Sequence, residues 1–146
     1  MKKDLYHGKR KDNGEWIFGY LVEHNGGYYI YYETADEMCQ TGNWLWSKEV
    51  IRETVGQSIG LDDKINKAIF EGDIVHAVHK SGYTGIPDKD FGIGVVKYNG
   101  TYYGGAAYQI DIIGEPGCRV FSASLQVEVI GNVHDNPELL KRSDYE

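Results

Sequence analysis

The chain is poor in cysteine, proline and long apolar runs. Of its 146 residues two are cysteines, Cys39 and Cys118, far apart and matching no ligand spacing. That gives no support for a disulfide framework or a thiolate metal site, and a reduced, cytoplasmic setting is expected. No apolar run approaches the ~20 residues that a membrane-spanning helix needs. Met1-Lys2-Lys3-Asp4-Leu5-Tyr6 has the basic start of a signal peptide without the apolar core behind it, so an unsecreted, soluble protein is expected. Catalytic signatures are missing too. No Gly-x-Ser-x-Gly surrounds Ser58, Ser122 or Ser124. Neither Gly92-Ile93-Gly94 nor the stretch from Gly100 to Gly105 carries the Gly-Lys-Ser/Thr or Gly-x-Gly-x-x-Gly of a phosphate loop. No catalytic residue and no cofactor is expected.

Positive charge is also in short supply. Fifteen Lys and Arg face 22 Asp and Glu, a net of −7. Non-specific nucleic-acid binders draw affinity from phosphate neutralisation, so this balance disfavours that class. It is too mild for a DNA mimic and suits ordinary solubility.

What the chain does have is aromatics and glycine: 12 Tyr, 4 Phe, 3 Trp and 19 Gly. Tyr, Val and Ile between Gly-rich turns indicate a β protein. At this length a globular chain buries roughly 68–70% of its unfolded surface, enough for a core without staples. Leu5 to Arg10 reads as a short strand, and Lys11-Asp12-Asn13-Gly14 as a turn. Glu15 to Val22 and Tyr28 to Tyr32 read as strands joined at Asn25-Gly26-Gly27, a hairpin. Thr34 to Gln40 breaks the pattern and predicts a short helix near 34–40, with Thr34 and Glu37 as a capping box. Trp44-Leu45-Trp46 returns to β character, and Val50 and Ile51 are expected inward.

Asp73 to His79 is the next strand, followed by a long polar loop from Lys80 to Asp90, the kind of place where contact surfaces concentrate. Phe91 to Tyr98 is a strand, Asn99-Gly100 a tight turn, and Thr101 to Ile113 a strand bent at Gly104 to Ala107. Arg119 to Phe121 is a short strand, Ser122 to Leu125 one helical turn, and Val127 to Val133 the last strand. Asn136-Pro137-Glu138 then starts a short helix over 137–142, with Asn136 as its cap. This order in the second half is that of a small SH3-like barrel whose last strand returns beside its first. The division expected is a β-hairpin region over 1–53 packed on a barrel over 73–146, joined by a connecting turn segment over 54–72, with one fused domain as the alternative. Within 54–72, Gly56 and Gly60 set up a crossing, Asn66 turns it, and Gly72-Asp73 launches the barrel.

Several sequence pieces act together here: Thr54-Val55-Gly56-Gln57, Gly60-Leu61 with Asp63-Lys64, Ile69 to Val75, Val129 to Val133 and Asn136 to Leu140. As a set, with Gly8 to Trp16, they resemble the YopX family of phage and prophage proteins. The resemblance implies a phage or prophage origin and supplies no catalytic residues. One position departs from the family, which usually places Asn-Gly in the turn after Asp-Lys where this chain has Ile65-Asn66. A β-branched Ile65 resists positive φ, so a type I turn with Asn66 alone left-handed is expected.

Candidate chemistry is thin. His76 and His79 are three apart on a strand and so face opposite sides, which argues against a shared ion. Asp62, Asp63, Glu71, Asp73 and Asp111 show no diagnostic acid/base spacing. Asp62 and Asp63 are expected to serve the turn, and Asp73 to bond backbone near Gly72. The aromatic clusters carry the functional expectation. Tyr28, Tyr29, Tyr31 and Tyr32 alternate faces, as do Tyr102 and Tyr103, and Trp44 and Trp46 share one. Exposed Tyr and Trp favour protein interfaces, and the neighbouring Glu23, Glu33, Asp36 and Glu37 would repel phosphate. The expected function is a non-enzymatic module that binds a protein partner or self-assembles, with no membrane partner. Two alternatives stay open: a nucleic-acid-associated barrel, supported by Lys2, Lys3, Lys9, Arg10 and Lys11, and a small enzyme with an unrecognised carboxylate site.

Overall fold

The computed structural model describes residues 5–35, 43–102, 105–115, 119–121 and 124–141. The protein is mainly β, and the described residues form two antiparallel sheets and two short 3₁₀ turns, Arg52–Thr54 and Pro137–Leu140. No helix among the described residues is long and apolar enough to cross a membrane. The chain divides into two compact units, Met1–Gly60 and Leu61–Glu146.

In the amino-terminal unit β1 (Tyr6–Lys9), β2 (Trp16–His24), β3 (Gly27–Ala35) and β4 (Asn43–Val50) form a meander, and the start of β5 (Gly56–Asp62) pairs on the far side of β1. The β2–β3 hairpin closes at Asn25 (φ 49°) and Gly26 (φ 80°), the two positive φ values that a two-residue type I′ turn requires. The Lys11–Gly14 turn is wider than its Asn-Gly suggests. Only Gly14 is left-handed, and its N–H reaches back to the Arg10 carbonyl.

Gly19 is the corner of this sheet. The strand partners of β2 change there from β1 to β3, and a Cβ on Gly19 would sit 2.1 Å from the Tyr31 carbonyl oxygen. Only glycine permits that approach. The end of β4 then folds back on the residues after β1, with Lys11 N–H bonding Glu49 O at 3.0 Å and Ile51 N–H bonding Lys9 O at 2.8 Å. Ile30 and Val50 fill the inner side, both fully buried. Thr54 locks the 3₁₀ turn beneath: its hydroxyl accepts the Lys9 N–H at 2.9 Å and donates to the Ile51 carbonyl at 2.6 Å.

In the carboxy-terminal unit β7 (Asp73–His79), β8 (Lys89–Tyr102), β9 (Gly105–Ile112) and β10 (Arg119–Val120) form a meander, and β11 (Leu125–Asn132) returns beside β7. Ile74, Val75, Ala77, Val96 and Ile110 are fully buried. The return of the last strand beside the first is as the sequence indicates. Closure is not: the sheet is open, with β10 and β11 as its edge strands.

Four further expectations change. The segment over 54–72 is more than a turn, because it holds β5 and β6 (Ala68–Phe70). Asn99-Gly100 is no tight turn; β8 runs through it, held to β9 by the Tyr98–Tyr108 edge-to-face contact at 5.2 Å, and the chain reverses between Tyr102 and Gly105. Thr34 and Ala35 lie in β3, not in a helix, and 36–40 lie outside the described residues. The carboxy-terminal helix is a single 3₁₀ turn without a side-chain cap. Asn136 instead turns its Oδ1 back to the Asn132 N–H of β11 at 3.2 Å.

Candidate functional site: an aromatic sheet face

Alternation on β2 sends Phe18, Tyr20 and Val22 to the outer side of the amino-terminal sheet. On β3, Tyr31 stands opposite Tyr20, and Tyr29 opposite Val22. On β1, His7 stands opposite Phe18 and Lys9 opposite Trp16. The result is one surface carrying Trp16, Phe18, Tyr20, Val22, Tyr29 and Tyr31. Phe18 is 42% exposed, Tyr20 38% and Val22 41%, high values for large apolar side chains in the middle of a strand. His7 is buried beneath, its ring 4.4 Å from Trp16 and 5.8 Å from Phe18. The Lys9 ammonium lies over the Trp16 ring at 5.6 Å.

The four β3 tyrosines therefore split as their alternation demands. Tyr29 and Tyr31 belong to the outer surface. Tyr28 and Tyr32 share the face of buried Ile30, where the Arg52 guanidinium covers Tyr28 at 5.4 Å. All four are half-buried. Trp46 is 48% exposed. The side chains of Trp44 and Tyr102, and the whole of Tyr103, lie outside the described residues. Singling out tyrosine clusters missed Trp16, Phe18, Tyr20 and Val22. The available signal was that β2 is apolar on both alternating sets, more than a strand with one face on a core needs.

Among the predicted structural positions, Gly56 is buried opposite His7, Gly60 has φ 84° and Gly72 φ 92°. Asn66 has φ 67° and Ile65 is not left-handed, as the departure from Asn-Gly requires. Asp63 organises this turn. Its Oδ1 accepts the N–H groups of Ile65 (3.0 Å) and Lys67 (2.9 Å), and its Oδ2 accepts that of Val129 on β11 (3.0 Å). Lys64 N–H adds a bond to Val127 O at 3.0 Å. A turn thus occupies the edge of β11 where another strand would otherwise dock. Burial pushes the Asp63 carboxyl up, but the N–H groups of Val129, Lys67 and Ile65 outweigh it and hold the group below its ordinary range. Asp73 is the opposite case. Burial pushes its carboxyl up to about 6, against the Phe70 N–H that it accepts at 2.9 Å.

The loop after β7 is shorter than the expected Lys80–Asp90, because Lys89 and Asp90 already pair with β7 as the start of β8, and it is tied from within. The Asp88 carboxylate accepts the Ser81 N–H at 3.0 Å and pairs with Lys80 at 3.1 Å, while the Ser81 hydroxyl bonds the Ile86 carbonyl. Its tip presents Tyr83 and Ile86, both exposed.

A groove of about 610 Å³ lies along His76, Asp90, Phe91, Ile93, Glu115 and Glu128. Each carboxylate of the groove has a partner: Asp90 with His76 at 2.8 Å, Glu115 with Arg119 at 3.7 Å, Glu128 with Lys64 at 3.3 Å. The Gly92 N–H, then His76, hold Asp90 below the usual carboxylate range. Among the described residues no three His, Cys, Asp or Glu side chains are placed to hold a metal.

The family model described as "YopX protein" matches residues 5–141. No curated protein matches the chain. Among solved structures, the chain is similar to the crystal structure of protein EF1440 from Enterococcus faecalis. The two are 17% identical, with 97% of this chain and 100% of that one covered and a TM-score of 0.49.

Proposed function

The chain belongs to the YopX family, and on that premise we propose that it is a non-enzymatic module that binds a protein partner or a second copy of itself. Its contact surface is the outer face of the amino-terminal sheet. The observation that carries this reading is the row Phe18, Tyr20 and Val22, exposed side by side across from Tyr29 and Tyr31. Contiguous exposed apolar surface of this kind marks interaction sites. Tyr and Trp supply contact area with few rotatable bonds, so little entropy is lost on binding. The reading places the protein in a phage or prophage and in the host cytoplasm. The meander β7–β10 with β11 returned beside β7 supports an SH3-like description of the second unit.

The carboxylates are less suited to acid/base work. Asp63 is committed to three backbone donors and Asp73 to one. The test is a pull-down from host lysate with the wild type and with a Phe18→Ser, Tyr20→Ser, Val22→Ser variant, beside thermal melts of both. A partner held by the wild type and lost by an equally stable variant supports the reading. Equal capture by both sinks it.

One observation favours a second reading. Lys9 over Trp16 and Arg52 over Tyr28 put cations on rings, as single-stranded nucleic-acid platforms do. The net charge of −7 opposes it. A gel shift at low salt with single-stranded DNA and RNA decides, and no shift at micromolar protein removes it.

A further inference from the structure

β4 is an edge strand. Along its length it pairs with β3, and beyond β3 the only described residues that reach it are those after β1, at its very end. The direction of its free groups follows from those end contacts. The Glu49 carbonyl and the Ile51 N–H point away from β3, toward Lys11 and Lys9. By the alternation of a strand, the N–H and C=O groups of Ser47, Leu45 and Asn43 point the same way. No strand of the described residues meets them there. Natural sheets blunt such edges with charge, proline or a covering segment. The β11 edge has the turn around Asp63. From Asn43 to Ser47 the β4 sequence is Asn-Trp-Leu-Trp-Ser, with neither charge nor proline, and Trp46 and Ser47 are exposed.

We propose that the Asn43–Ser47 edge of β4 docks antiparallel on the same edge of a second copy, about a twofold axis at Leu45. This goes beyond the function proposed above, because it gives self-association a surface of its own, separate from the outer aromatic face. The register follows from what is free. With the axis at Leu45, all three outward residues of one copy meet all three of the other: Asn43 opposite Ser47, Leu45 opposite Leu45, Ser47 opposite Asn43. Shifting the axis to Ser47 would set Leu45 against Glu49, whose outward carbonyl is already bonded to Lys11. The Leu45 register also sets position 44 opposite position 46, both tryptophan in the sequence. No like charges oppose one another anywhere in the paired stretch, so a second copy is not repelled. This is strand addition at an exposed edge, in which backbone bonds give affinity and alternate side chains give register.

The test measures oligomeric state by analytical ultracentrifugation over a concentration series. The samples are the full-length wild type, Ser47→Pro, Ser47→Lys and the outer-face Phe18→Ser, Tyr20→Ser, Val22→Ser variant. Proline at 47 removes an outward N–H and leaves the β3–β4 ladder intact, because β3 is bonded from the other side of the strand. Lysine at 47 is the device natural edges use, and it stands in should Ser47→Pro melt early. The expected result is a wild-type dimer that either Ser47 variant weakens at least tenfold without lowering the melting temperature, while the outer-face variant still dimerises. A wild type that stays monomeric at high micromolar concentration overturns the edge proposal, whatever the pull-down shows. A dimer that survives both Ser47 variants and is lost in the outer-face variant also overturns it, and returns self-association to the aromatic face.

Discussion

In the amino-terminal unit large rings stand on the outside and glycines line the corner. In the carboxy-terminal unit aliphatic side chains fill the core, and two buried aspartates sit where the chain turns. Phe18, Tyr20 and Val22 are apolar yet exposed. Asp63 and Asp73 are charged residue types yet almost fully buried, at 6% and 5% exposure. Each pair of facts reverses what composition alone suggests, and the two reversals differ in kind. Phe18, Tyr20 and Val22 keep more than a third of their surface in solvent, where a partner can reach it. The buried carboxylates hold backbone, so they are bound to the fold.

The contrast breaks most severely at Asp63. Asp63→Ala leaves three backbone N–H groups without their acceptor, those of Ile65, Lys67 and Val129. A loss of about 4 kcal/mol is expected, read as a fall in the denaturation midpoint. A variant as stable as the wild type would show that water replaces the carboxylate without penalty. Gly19→Ala comes next. Its Cβ must displace the Tyr31 backbone, and about 3 kcal/mol should be lost, measured in the same way. A small effect there would mean that the sheet corner adjusts.

Asp73 sharpens the comparison through pH, with the opposite sign to Asp63. The folded state holds the Asp73 carboxyl at about 6 against an ordinary 3.8, so the fold favours its protonated form. Stability should therefore rise as pH falls from 7 toward 4 and be lost as pH climbs through 6. The groups that bias it electrostatically are Lys67, which favours ionisation, and Asp63, which opposes it. Its partner on β11, Asn132, is uncharged. Asp63 is held low, so its contribution is present above about 4 and disappears as pH falls below that. Together they predict maximal stability near pH 4, with a decline on either side. Asp73→Asn keeps an oxygen for the Phe70 N–H and removes the charge. It should stabilise the protein by about 2 kcal/mol at pH 7.5 and flatten the slope between pH 4 and 6, as thermal melts across that range will show. An unchanged slope would mean that the Asp73 carboxyl is hydrated. The smallest effect is expected on the aromatic face, where Phe18→Ser, Tyr20→Ser and Val22→Ser together should change stability by only about 1 kcal/mol. A much larger loss would make that face a packing surface and no docking site.

Much of the strand pattern was readable because alternation and turn chemistry are local. Asn25-Gly26 needs two left-handed residues and has them; Ile65-Asn66 permits one and has one. Asn99-Gly100 misled because a turn dipeptide only permits reversal. The Tyr98–Tyr108 contact carries the β8–β9 ladder past it, and that contact joins residues ten positions apart. The aromatic surface was half legible. The tyrosine cluster on β3 stands out in the sequence, but Phe18 and Tyr20 do not until register sets them beside it.

By itself the sequence determined the β class, the positions of the hairpin and of the final returning strand, the family, and which turn residues must be left-handed. All of these follow from side-chain periodicity and from backbone sterics within a few residues. Only the tertiary structure decided which side of the amino-terminal sheet faces outward, and that Asp63 bonds a strand 66 residues away. It also decided that burial raises the Asp73 carboxyl to about 6, and that the Asp63 turn covers the β11 edge while, among the described residues, no strand other than β3 pairs with β4. Those outcomes depend on register and desolvation, which are set by residues far apart in the chain.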